Sequence, residues 1–376
     1  MKILYNIAGT CHSGGMERVL ANKANWLVEH GHDVVIVTTD QRGEQPFFAL
    51  DGRIRCYDLG VNYEENNGAG FLNKLLNYPA KQRKHKRLLR EVLAKEAPDV
   101  TVSMFCNDVS FIAGLKEGGR KVLEIHFGKL KRLQYGRKGL WRLADIWRTR
   151  QDERLVRRFD RFVVLTEEDR GYWGDVPGMV VIPNARTYTP RECAALDSRR
   201  VIAVGRYTHQ KGFERLIEAW RLLSGKVQGW RLDIIGDGEE RAALQGLVDK
   251  YNLGGSVSLV PPTNDMPAVY NGASLVAMSS RYEGLPMILV EAQAYGLPIV
   301  SFDCKCGPAD VVEDGITGYL VPEGDIEALA QRLEAVMRDD VLRKRMGAAA
   351  REASERYSVE RVMARWVELF ETVVKE

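Results

Sequence analysis

The chain lacks the features that would mark a membrane span, a disulfide scaffold or a bound metal. None of its apolar runs approaches the ~18 residues that a membrane-spanning helix needs. Its cysteines show no framework spacing, and the close pair Cys304 and Cys306 lacks the second cluster that a zinc site requires. We therefore interpret all of them as reduced thiols. The six lie at positions 11, 56, 106, 193, 304 and 306.

Two further absences narrow the class of protein. No D-x-D pair is present that could hold a metal diphosphate, and no low-complexity tract interrupts the 376 residues. Residues 2–8, KILYNIA, follow no basic leader or cleavage site, so they predict a first strand rather than a signal peptide. We expect a cytoplasmic protein that meets a membrane, if at all, from its surface. With 45% hydrophobic and 28% charged residues, the chain has the composition of a globular protein.

Length and periodicity together predict two domains. The chain is longer than one core usually serves, and apolar β-rich runs alternate with helical patterns throughout. Such alternation is typical of doubly wound parallel sheets in α/β proteins. Strands are predicted at 2–8, 33–39, 99–105, 121–125, 161–165, 179–183, 200–204, 231–236, 256–260, 274–278, 298–302 and 318–321. Helices are predicted at 16–30, 71–96, 108–115, 141–158, 212–224, 239–251, 266–271, 286–295, 308–313 and 326–337.

We place the domain boundary in a stretch without a clear period. Residues 185–198, ARTYTPRECAALDS, are the predicted linker, which gives domains at 1–185 and 186–357. After them, Ser358 can cap a terminal helix over 358–376. Its apolar residues recur at steps of three and four and predict a buried stripe. These residues are Val359, Val362, Trp366, Leu369 and Val373.

Four charged residues of the second half suggest a ligand. Glu283 and Glu291 bracket EGLPMILVE, and Arg206 and Lys211 stand five residues apart after an apolar strand. Two carboxylates and two cations suit a nucleotide-sugar, which has hydroxyls at its ends and a diphosphate in its middle. Pro286 suits the first position of a helix in which Glu291 would come early, with Glu283 on the loop before it. The N–H groups at that helix start would form an anion site.

The resemblance that accompanies these residues is specific. GRYTHQKGFERLIEAW, SRYEGLPMILVEAQAYGLPIVSFD and CGPADVVEDGITGYLV resemble the carboxy-terminal signature of family 4 of the retaining glycosyltransferases. SGGMERVLANKANWLVEHGHDVVIVT resembles that family's first Gly-Gly loop and helix, so the likeness spans essentially the whole chain. It implies a GT-B fold, with two Rossmann-like domains facing a central cleft and the terminal helix packed back on the first domain.

The resemblance also implies roles. Arg206 and Lys211 would stabilise the departing diphosphate, Glu283 would position the donor sugar and Glu291 would hold the ribose. The loop at 260–264 is a candidate for the base. Further donor contacts are expected at Gly205, Pro262, Gly284, Leu285, Pro286 and Met287. Retention of configuration without a metal or cofactor is implied by the family. The sequence departs from the family pattern at 184–188, where NARTY replaces the common Asn-Gly-Val-Asp. The contribution of this turn to the donor site is therefore open.

Two features of the first half are candidates for the same cleft. Gly14 and Gly15 precede the first helix and would let the backbone approach a ligand, although a Gly-Gly turn can also merely join a strand to a helix. In the family this loop faces the donor's terminal phosphate and the acceptor. His126 ends the strand KVLEIHF and matches the histidine that family members place beside the transferred sugar. A packed core histidine is the alternative interpretation.

Charge is unevenly distributed. Residues 1–185 contain 30 Lys and Arg against 23 Asp and Glu, a net of +7, whereas the remainder is at −4. The cations concentrate in KQRKHKR at 81–87 and in 129–143, where apolar residues separate them. These apolar residues are Leu130, Leu133, Tyr135, Leu140 and Trp141. Such segments suit an anionic membrane surface and a lipid-diphosphate-linked saccharide, and a solvated helix face is the alternative.

The GGMERV and CGPADVVEDGITGYLV forms most resemble enzymes that build bacterial exopolysaccharide or lipid-linked oligosaccharides, which implies a UDP-hexose or UDP-N-acetylhexosamine donor. A GT-B sugar-nucleotide epimerase and a basic nucleic-acid-binding protein are the alternatives. The epimerase would need acid–base groups at the sugar. The nucleic-acid-binding protein is disfavoured by a net charge of only +3 and by the lack of a stacking platform, so we expect no nucleic acid partner.

Two glycine-containing segments do not match nucleotide-binding motifs. Gly236-Asp-Gly238 is not a dinucleotide fingerprint, because Arg241 replaces its third glycine, and residues 224–226 lack the residues of a P-loop.

Overall fold

The structure, a computed structural model, describes residues 1–66, 71–134 and 137–376. The chain divides into two compact units. The amino-terminal unit comprises residues 1–165, 170–183 and 362–376, and the carboxy-terminal unit comprises 166–169 and 184–361. Among the described residues, we find no helix with the length and apolar character needed to cross a membrane.

The amino-terminal unit is built on a seven-stranded parallel sheet. Its strands are β1 Lys2–Ile7, β2 Asp33–Thr38, β3 Arg55–Asp58, β4 Val100–Ser103, β5 Arg120–Glu124, β6 Arg161–Val164 and β7 Met179–Val181. Their order is β3-β2-β1-β4-β5-β6-β7, so the direction of winding reverses between β1 and β4. The helices of this part of the chain are α1 Gly15–Glu29, α2 Phe71–Glu96, α3 Lys131–Gln134, α4 Leu140–Val156 and α5 Glu167–Trp173.

The carboxy-terminal unit has a six-stranded parallel sheet. Its strands are β8 Arg200–Val204, β9 Arg231–Ile235, β10 Val257–Val260, β11 Leu275–Met278, β12 Ile299–Asp303 and β13 Gly318–Pro322. Their order is β10-β9-β8-β11-β12-β13, with the reversal between β8 and β11. The helices of this unit are α6 Phe213–Leu223, α7 Arg241–Lys250, α8 Met266–Asn271, α9 Met287–Ala294, α10 Pro308–Val311, α11 Ile326–Arg338 and α12 Asp340–Ala353. The last helix, α13 Val359–Lys375, belongs to the amino-terminal unit from residue 362 onward. The prediction of two parallel α/β domains is confirmed.

Several elements differ from the sequence prediction, among them the short helices α3 and α5, which were not predicted. Strand β3 was not expected because it is an edge strand whose residues RCYD are mostly exposed and carry no apolar alternation. Helix α12 was also missed, since its buried residues include Arg343 and Gly347 rather than a run of large apolar side chains. The helix predicted at 108–115 is instead a single 3-10 turn, Ile112–Gly114.

Helix α13 contributes an apolar stripe to the amino-terminal unit. Val362, Trp366, Leu369 and Val373 of the predicted stripe are buried, whereas Val359 is only partly covered. Ser358 stands at the predicted cap position in extended backbone, immediately before the helix. Trp366 is 1% exposed, and its ring covers the ammonium of Lys23 on α1 at 3.6 Å. The helix therefore closes the core over a charged group.

Candidate functional site

The loops that carry three of the predicted site residues follow neighbouring strands of the carboxy-terminal unit. Arg206 and Lys211 lie between β8 and α6, and Glu283 lies between β11 and α9. Strands β8 and β11 are adjacent and parallel, and the sheet reverses its winding between them. Ligands of open α/β sheets bind at the carboxyl ends of strands at such a reversal. The topology therefore brings these loops to the position where a ligand is expected.

Lys211 and Glu283 form a charged pair in this position. The Lys211 ammonium lies 2.7 Å from Oε1 of Glu283, and the hydroxyl of Ser280 donates to the same oxygen at 2.6 Å. The Glu283 backbone is fixed as well, because its N–H donates to the carbonyl of Lys305 and its carbonyl accepts from Cys306 N–H. The Glu283 side chain is 9% exposed and that of Lys211 21%. Glu283 is therefore held at its carboxylate by Lys211 and Ser280 and at its backbone by residues 305 and 306.

Gly205 makes room for the Lys211 side chain. A Cβ built at Gly205 would lie 3.0–3.2 Å from Cε, Cδ and Cγ of Lys211. Real Cβ atoms rarely approach so closely, so any side chain there would push the lysine stem away. Gly205 is thus required by the placement of the ammonium.

We expect Gly205→Ala to lower kcat by at most about tenfold, because the added methyl group would displace the lysine stem by only a few tenths of an ångström, whereas misplacement by about 1 Å can cost on the order of 10²-fold. Steady-state kinetics with a saturating donor would measure the loss. Gly255→Ala, where no atom lies within 4 Å of the added methyl group, is the matched control. Equal turnover of the two variants would show that the Lys211 position does not matter.

Arg206 and Lys211 line one cavity of about 470 Å³. Arg206 is exposed, and its guanidinium has no ion pair within the part of the chain that the structure describes. The other lining residues are Thr208, His209, Gln210, Glu239 and Tyr282. An unpaired guanidinium beside a lysine is well suited to phosphate oxygens, which charge-assisted hydrogen bonds favour.

The glycines of the sequence GDG serve the packing of this loop. A Cβ at Gly236 would lie 1.9 Å from the carbonyl oxygen of Gly205, and one at Gly238 would lie 2.4 Å from that of Tyr207. The loops after β8 and β9 are hydrogen-bonded to each other, since Tyr207 N–H donates to the Asp237 carbonyl at 2.8 Å. These glycines therefore support the loop that holds Arg206.

Glu291 occupies a different part of α9 from the one predicted. The helix begins at Met287, and Pro286 is the residue before it, with an extended ψ of 94°. Glu291 is therefore in the middle of an eight-residue helix rather than early in it. Its Oε2 accepts a 2.6 Å hydrogen bond from the hydroxyl of Tyr270 on α8. The prediction that Pro286 occupies the first helical position is wrong, because its ψ is not helical.

The segment before α9 is fixed by its backbone neighbours. A Cβ at Gly307, whose φ is +93°, would lie 2.4 Å from the Gly284 carbonyl oxygen and 2.7 Å from Cδ of Pro286. Leu285 is buried and Met287 is half-buried. Pro262 is exposed in the loop between β10 and α8.

His126 of the amino-terminal unit follows β5 and lies beside two buried charges. Its Nε2 is 3.2 Å from Oε1 of Glu124, which in turn accepts a 2.5 Å hydrogen bond from the Lys23 ammonium. Burial raises the pKa of Glu124, but the charges of Lys23 and His126 outweigh this effect and lower that pKa to about 2. The Glu124 carboxylate therefore stays ionised.

The Gly14–Gly15 loop leads into α1 without needing the conformational freedom of glycine. Gly14 precedes the helix with a φ of −78°, and a Cβ at Gly15 would meet no atom within 4 Å. Neither backbone strain nor packing explains glycine at position 15. The open space beside it leaves the helix start accessible to a ligand, as an anion site would need.

The two basic segments of the sequence differ in their environment. In 81–87, the side chains of residues 83, 84, 86 and 87 are exposed on α2, whereas His85 is buried and contacts the Tyr63 hydroxyl at 3.1 Å. In 129–143, Lys129 and Arg132 are ion-paired with acidic residues of α4. Trp141 is exposed, Leu130 and Leu133 are half-buried, the Leu140 side chain is not described, and Tyr135 lies outside the described residues.

The sequence did not reveal Ser280, Tyr270 or Glu239 as neighbours of the predicted residues. Ser280 stands three residues before Glu283, a spacing that could have suggested the contact. Tyr270 reaches Glu291 from another helix, and no local signal marks it. Glu239 directly follows the GDG turn, whose sequence indicates only an incomplete dinucleotide fingerprint.

Comparison with known proteins identifies the family of the chain. Residues 13–189 match the family model described as Glycosyltransferase Family 4, and residues 188–353 match Glycosyl transferases group 1. An uncharacterized glycosyltransferase of Haemophilus influenzae is 30% identical over 97% of this chain and 98% of its own length. The chain belongs to glycosyltransferase family 4. The resemblance noted in the sequence is thereby confirmed, and the chain is a glycosyltransferase.

Two further relatives of this glycosyltransferase have more specific names. The amylovoran biosynthesis glycosyltransferase AmsD of Erwinia amylovora is 30% identical over 97% of this chain and 98% of its own. An α-1,4-N-acetyl-D-galactosaminyltransferase of Campylobacter jejuni, named for a diNAcBac-PP-undecaprenol-linked acceptor, is 26% identical over 99% of both chains.

Solved structures show that the fold is GT-B. TarM of S. aureus, in a crystal with UDP and α-GlcNAc-glycerol, superposes with a TM-score of 0.76 at 19% identity and covers 98% of this glycosyltransferase and 99% of its own chain. Anabaena HepE, in a crystal with UDP and glucose, has a TM-score of 0.73 at 18% identity over 99% and 100% of the chains. At these identities the likeness concerns the fold alone.

Proposed function

We propose that this glycosyltransferase moves a hexose or N-acetylhexosamine from a UDP-sugar to a saccharide acceptor, with retention of configuration. The observation that carries the proposal is the Lys211–Glu283 pair beside the exposed Arg206, at the reversal of the carboxy-terminal sheet. The names of relatives support the proposed substrates. Two solved structures of this fold contain UDP, and the Campylobacter relative is named for a lipid-diphosphate-linked acceptor.

In the proposed donor complex the charges of the site are shared with the nucleotide-sugar. The diphosphate accepts hydrogen bonds from Arg206 and Lys211, and sugar hydroxyls donate to Glu283. Glu291, on α9 next to Tyr270, holds the ribose. As the anomeric C–O bond breaks, negative charge grows on the diphosphate, so Arg206 and Lys211 stabilise the transition state more than the ground state. We assign the charge compensation to these cations and not to a metal.

Further residues are proposed to contact the donor and the acceptor. Gly205 positions Lys211, and the backbone at 284–287 faces the sugar. The loop at 260–264, which includes Pro262, contacts the nucleobase of the donor. His126 and the Gly14–Gly15 loop of the amino-terminal unit contact saccharide.

We propose that the acceptor hydroxyl attacks the same face of the sugar from which the diphosphate departs, because the sequence offers no convincing nucleophile for a double displacement. The acceptor is proposed to be lipid-diphosphate-linked and to belong to bacterial surface polysaccharide synthesis, as the names of AmsD and the Campylobacter enzyme suggest.

One experiment tests donor and reaction together. The protein is first screened by thermal shift against UDP-, GDP- and ADP-sugars, and is then incubated with the stabilising donor and a lipid-diphosphate saccharide. The reaction is expected to release UDP and to lengthen the saccharide. The new linkage should have the same axial or equatorial configuration as the donor. An epimerase would instead yield an altered UDP-sugar without releasing UDP. An inverted linkage in the product would contradict retention.

We propose that α4 contacts the membrane that would carry the lipid-linked acceptor. Leu143 and Trp147 are 62% and 63% exposed, and Arg150 and Arg154 continue the same outward line at steps of three and four. All three acidic residues of α4 are paired with cations, Asp145 with Arg137, Asp152 with Arg132 and Glu153 with Lys129. The outward face is therefore apolar and positive, as a contact with an anionic membrane requires.

We expect the protein to bind vesicles that contain anionic lipid. Trp147→Ser combined with Arg150→Ser and Arg154→Ser is expected to weaken binding by on the order of 10²-fold, since each cation near such a surface contributes about 1 kcal/mol and the indole adds to it. Co-sedimentation with vesicles of stated anionic content measures the change.

A charge-matched control separates this face from general electrostatics. Lys344→Ser with Arg345→Ser removes two exposed cations of α12 and is expected to leave vesicle binding unchanged. Replacing Lys84, Lys86 and Arg87 of α2 by serine tests the other basic segment, where we also expect loss. Binding that is indifferent to lipid charge and to all three sets of substitutions would reject peripheral membrane attachment.

A further inference from the structure

A buried tyrosine of the carboxy-terminal unit is hydrogen-bonded to the carboxylate that we assign to the ribose. Glu291 lies in the middle of α9, and its Oε2 accepts a 2.6 Å hydrogen bond from the hydroxyl of Tyr270 on α8. Tyr270 is 0% exposed, whereas Glu291 is half-buried. The hydrogen bond therefore ties a partly exposed acidic residue to a group in the core.

Two other tyrosines fix the ring of Tyr270. Tyr295, directly after α9, stacks on it with the ring centroids 5.0 Å apart and the planes 28° from parallel. Tyr188 lies tilted against it, with the centroids 6.5 Å apart and the planes at 58°. The Tyr270 hydroxyl is therefore held in its direction by packing on the ring as well as by its acceptor.

The segment NARTY at 184–188, where the sequence departs from the family pattern, supplies one of these rings. Arg186 of this segment is buried and donates to the Ser354 hydroxyl at 3.1 Å and to Oε1 of Glu355 at 2.8 Å. Its backbone N–H donates to the carbonyl of Tyr357 at 2.8 Å. These contacts anchor the segment and keep Tyr188 beside Tyr270. The departure from the family pattern thus acts on the surroundings of Glu291.

The contact between Tyr270 and Glu291 directs the carboxylate. Burial, followed by the charge of Glu291, raises the pKa of Tyr270 well above its usual value, so the phenol remains a donor at neutral pH. Hydrogen bonds from a neutral donor to a carboxylate are charge-assisted and stronger than those between neutral groups. A carboxylate has about four acceptor positions in its plane. A donor that occupies one of them fixes the plane and with it the direction of the others.

We propose that Tyr270 is a positioning residue that holds the Glu291 carboxylate in the orientation in which it accepts hydrogen bonds from the ribose hydroxyls of the donor. Tyr188 and Tyr295 keep its ring in place. This inference rests on the proposed function, in which Glu291 holds the ribose. It adds a residue that is too deeply buried to contact the nucleotide, and it gives the NARTY segment a part in donor affinity.

Tyr270→Phe tests the proposal because it removes only the hydroxyl. The dissociation constant for UDP, measured by isothermal titration calorimetry, is expected to rise about three- to tenfold, the effect of losing one hydrogen bond. Wild-type protein should bind 2′-deoxy-UDP or 3′-deoxy-UDP more weakly than UDP. For that analogue the substitution should change the dissociation constant by less than about twofold, because the hydroxyl that Glu291 accepts is absent. The value of kcat should change little, since the ribose gains no charge in the transition state.

Three further variants complete the experiment. Tyr251→Phe, at a half-buried tyrosine directly after α7, is the matched control and should leave all three dissociation constants unchanged. Glu291→Gln should weaken UDP binding at least as much as Tyr270→Phe. Tyr188→Ala keeps the phenol but removes one support of its ring. It is expected to weaken UDP binding by about twofold, at the lower end for a hydrogen bond, with the same dependence on the ribose hydroxyl.

The outcomes separate this inference from the function on which it rests. Equal losses of affinity for UDP and for both analogues in Tyr270→Phe would indicate a general disturbance of α8 and α9 and would overturn the inference, as would unchanged UDP binding by the folded variant. Should Tyr270→Phe not fold, an unchanged ratio of UDP to analogue affinity in Tyr188→Ala would overturn it instead. Wild-type UDP binding by Glu291→Gln would remove the ribose assignment and the inference with it. Failure of the wild type to bind UDP would contradict the proposed function itself.

Discussion

Lys211→Ala is expected to lower kcat by on the order of 10²-fold to 10³-fold, the range found when one preorganised donor to a developing negative charge is removed. The ammonium is already held in place before the donor binds, by the 2.7 Å contact with Glu283 and by the packing of its stem over Gly205. It therefore needs no reorganisation as the diphosphate departs. The KM for the donor should rise less than kcat falls, because the charge on the diphosphate is largest in the transition state.

Single-turnover kinetics with a saturating UDP-sugar measure this effect directly. The substitution also leaves Glu283 with Ser280 as its remaining side-chain partner, so thermal unfolding of the variant must be recorded beside its kinetics. Lys226→Ala, at an exposed lysine just after α6, is the matched control. Wild-type turnover of a folded Lys211→Ala enzyme would refute the diphosphate assignment.

Gly236→Ala is the second substitution with a large expected effect, and it acts on the fold. The added Cβ would lie 1.9 Å from the carbonyl oxygen of Gly205, so the loops after β8 and β9 would have to separate. Overpacking against backbone costs about 3 kcal/mol, which corresponds to a fall in Tm of roughly 6–12 °C for a unit of this size. Because Arg206 follows Gly205 directly, donor binding should weaken as well.

The helix that follows this loop, α7, supplies a control for this substitution. Gly246 lies inside α7, and a Cβ there meets no atom within 4 Å. Gly246→Ala is therefore expected to raise stability by about 0.5–1 kcal/mol, the helix propensity difference between the two residues. Differential scanning calorimetry with and without UDP measures both variants. Similar melting temperatures for the two would show that the loops can separate without cost.

Most of the fold could be predicted because parallel strands are buried on both faces. Such strands are short continuous apolar runs in the sequence, and β8 begins and ends at the predicted residues 200 and 204. Strand β3 shows the limit of this signal. It lies at the sheet edge, so its residues RCYD are mostly exposed and have no apolar pattern to detect. Its position follows from pairing with β2 and not from its own sequence.

The candidate site was predictable only in part. Loops at the carboxyl ends of adjacent strands meet, so Lys211 and Glu283 could be expected near each other although 72 residues separate them. The contact between Lys23 and Glu124 could not be expected. Both residue types usually lie on the surface, and 101 residues separate them. Which charged side chains enter a core depends on packing of the whole unit, and no local pattern reports it.

The path of the chain has a consequence for biosynthesis. Residues 362–376 belong to the amino-terminal unit, although the ribosome makes them after the whole of the carboxy-terminal unit. Until they emerge, the Lys23 ammonium lacks the Trp366 ring that covers it in the finished protein. The half of the enzyme that is translated first is therefore completed last, and a nascent chain arrested before residue 362 leaves it open to proteases and chaperones.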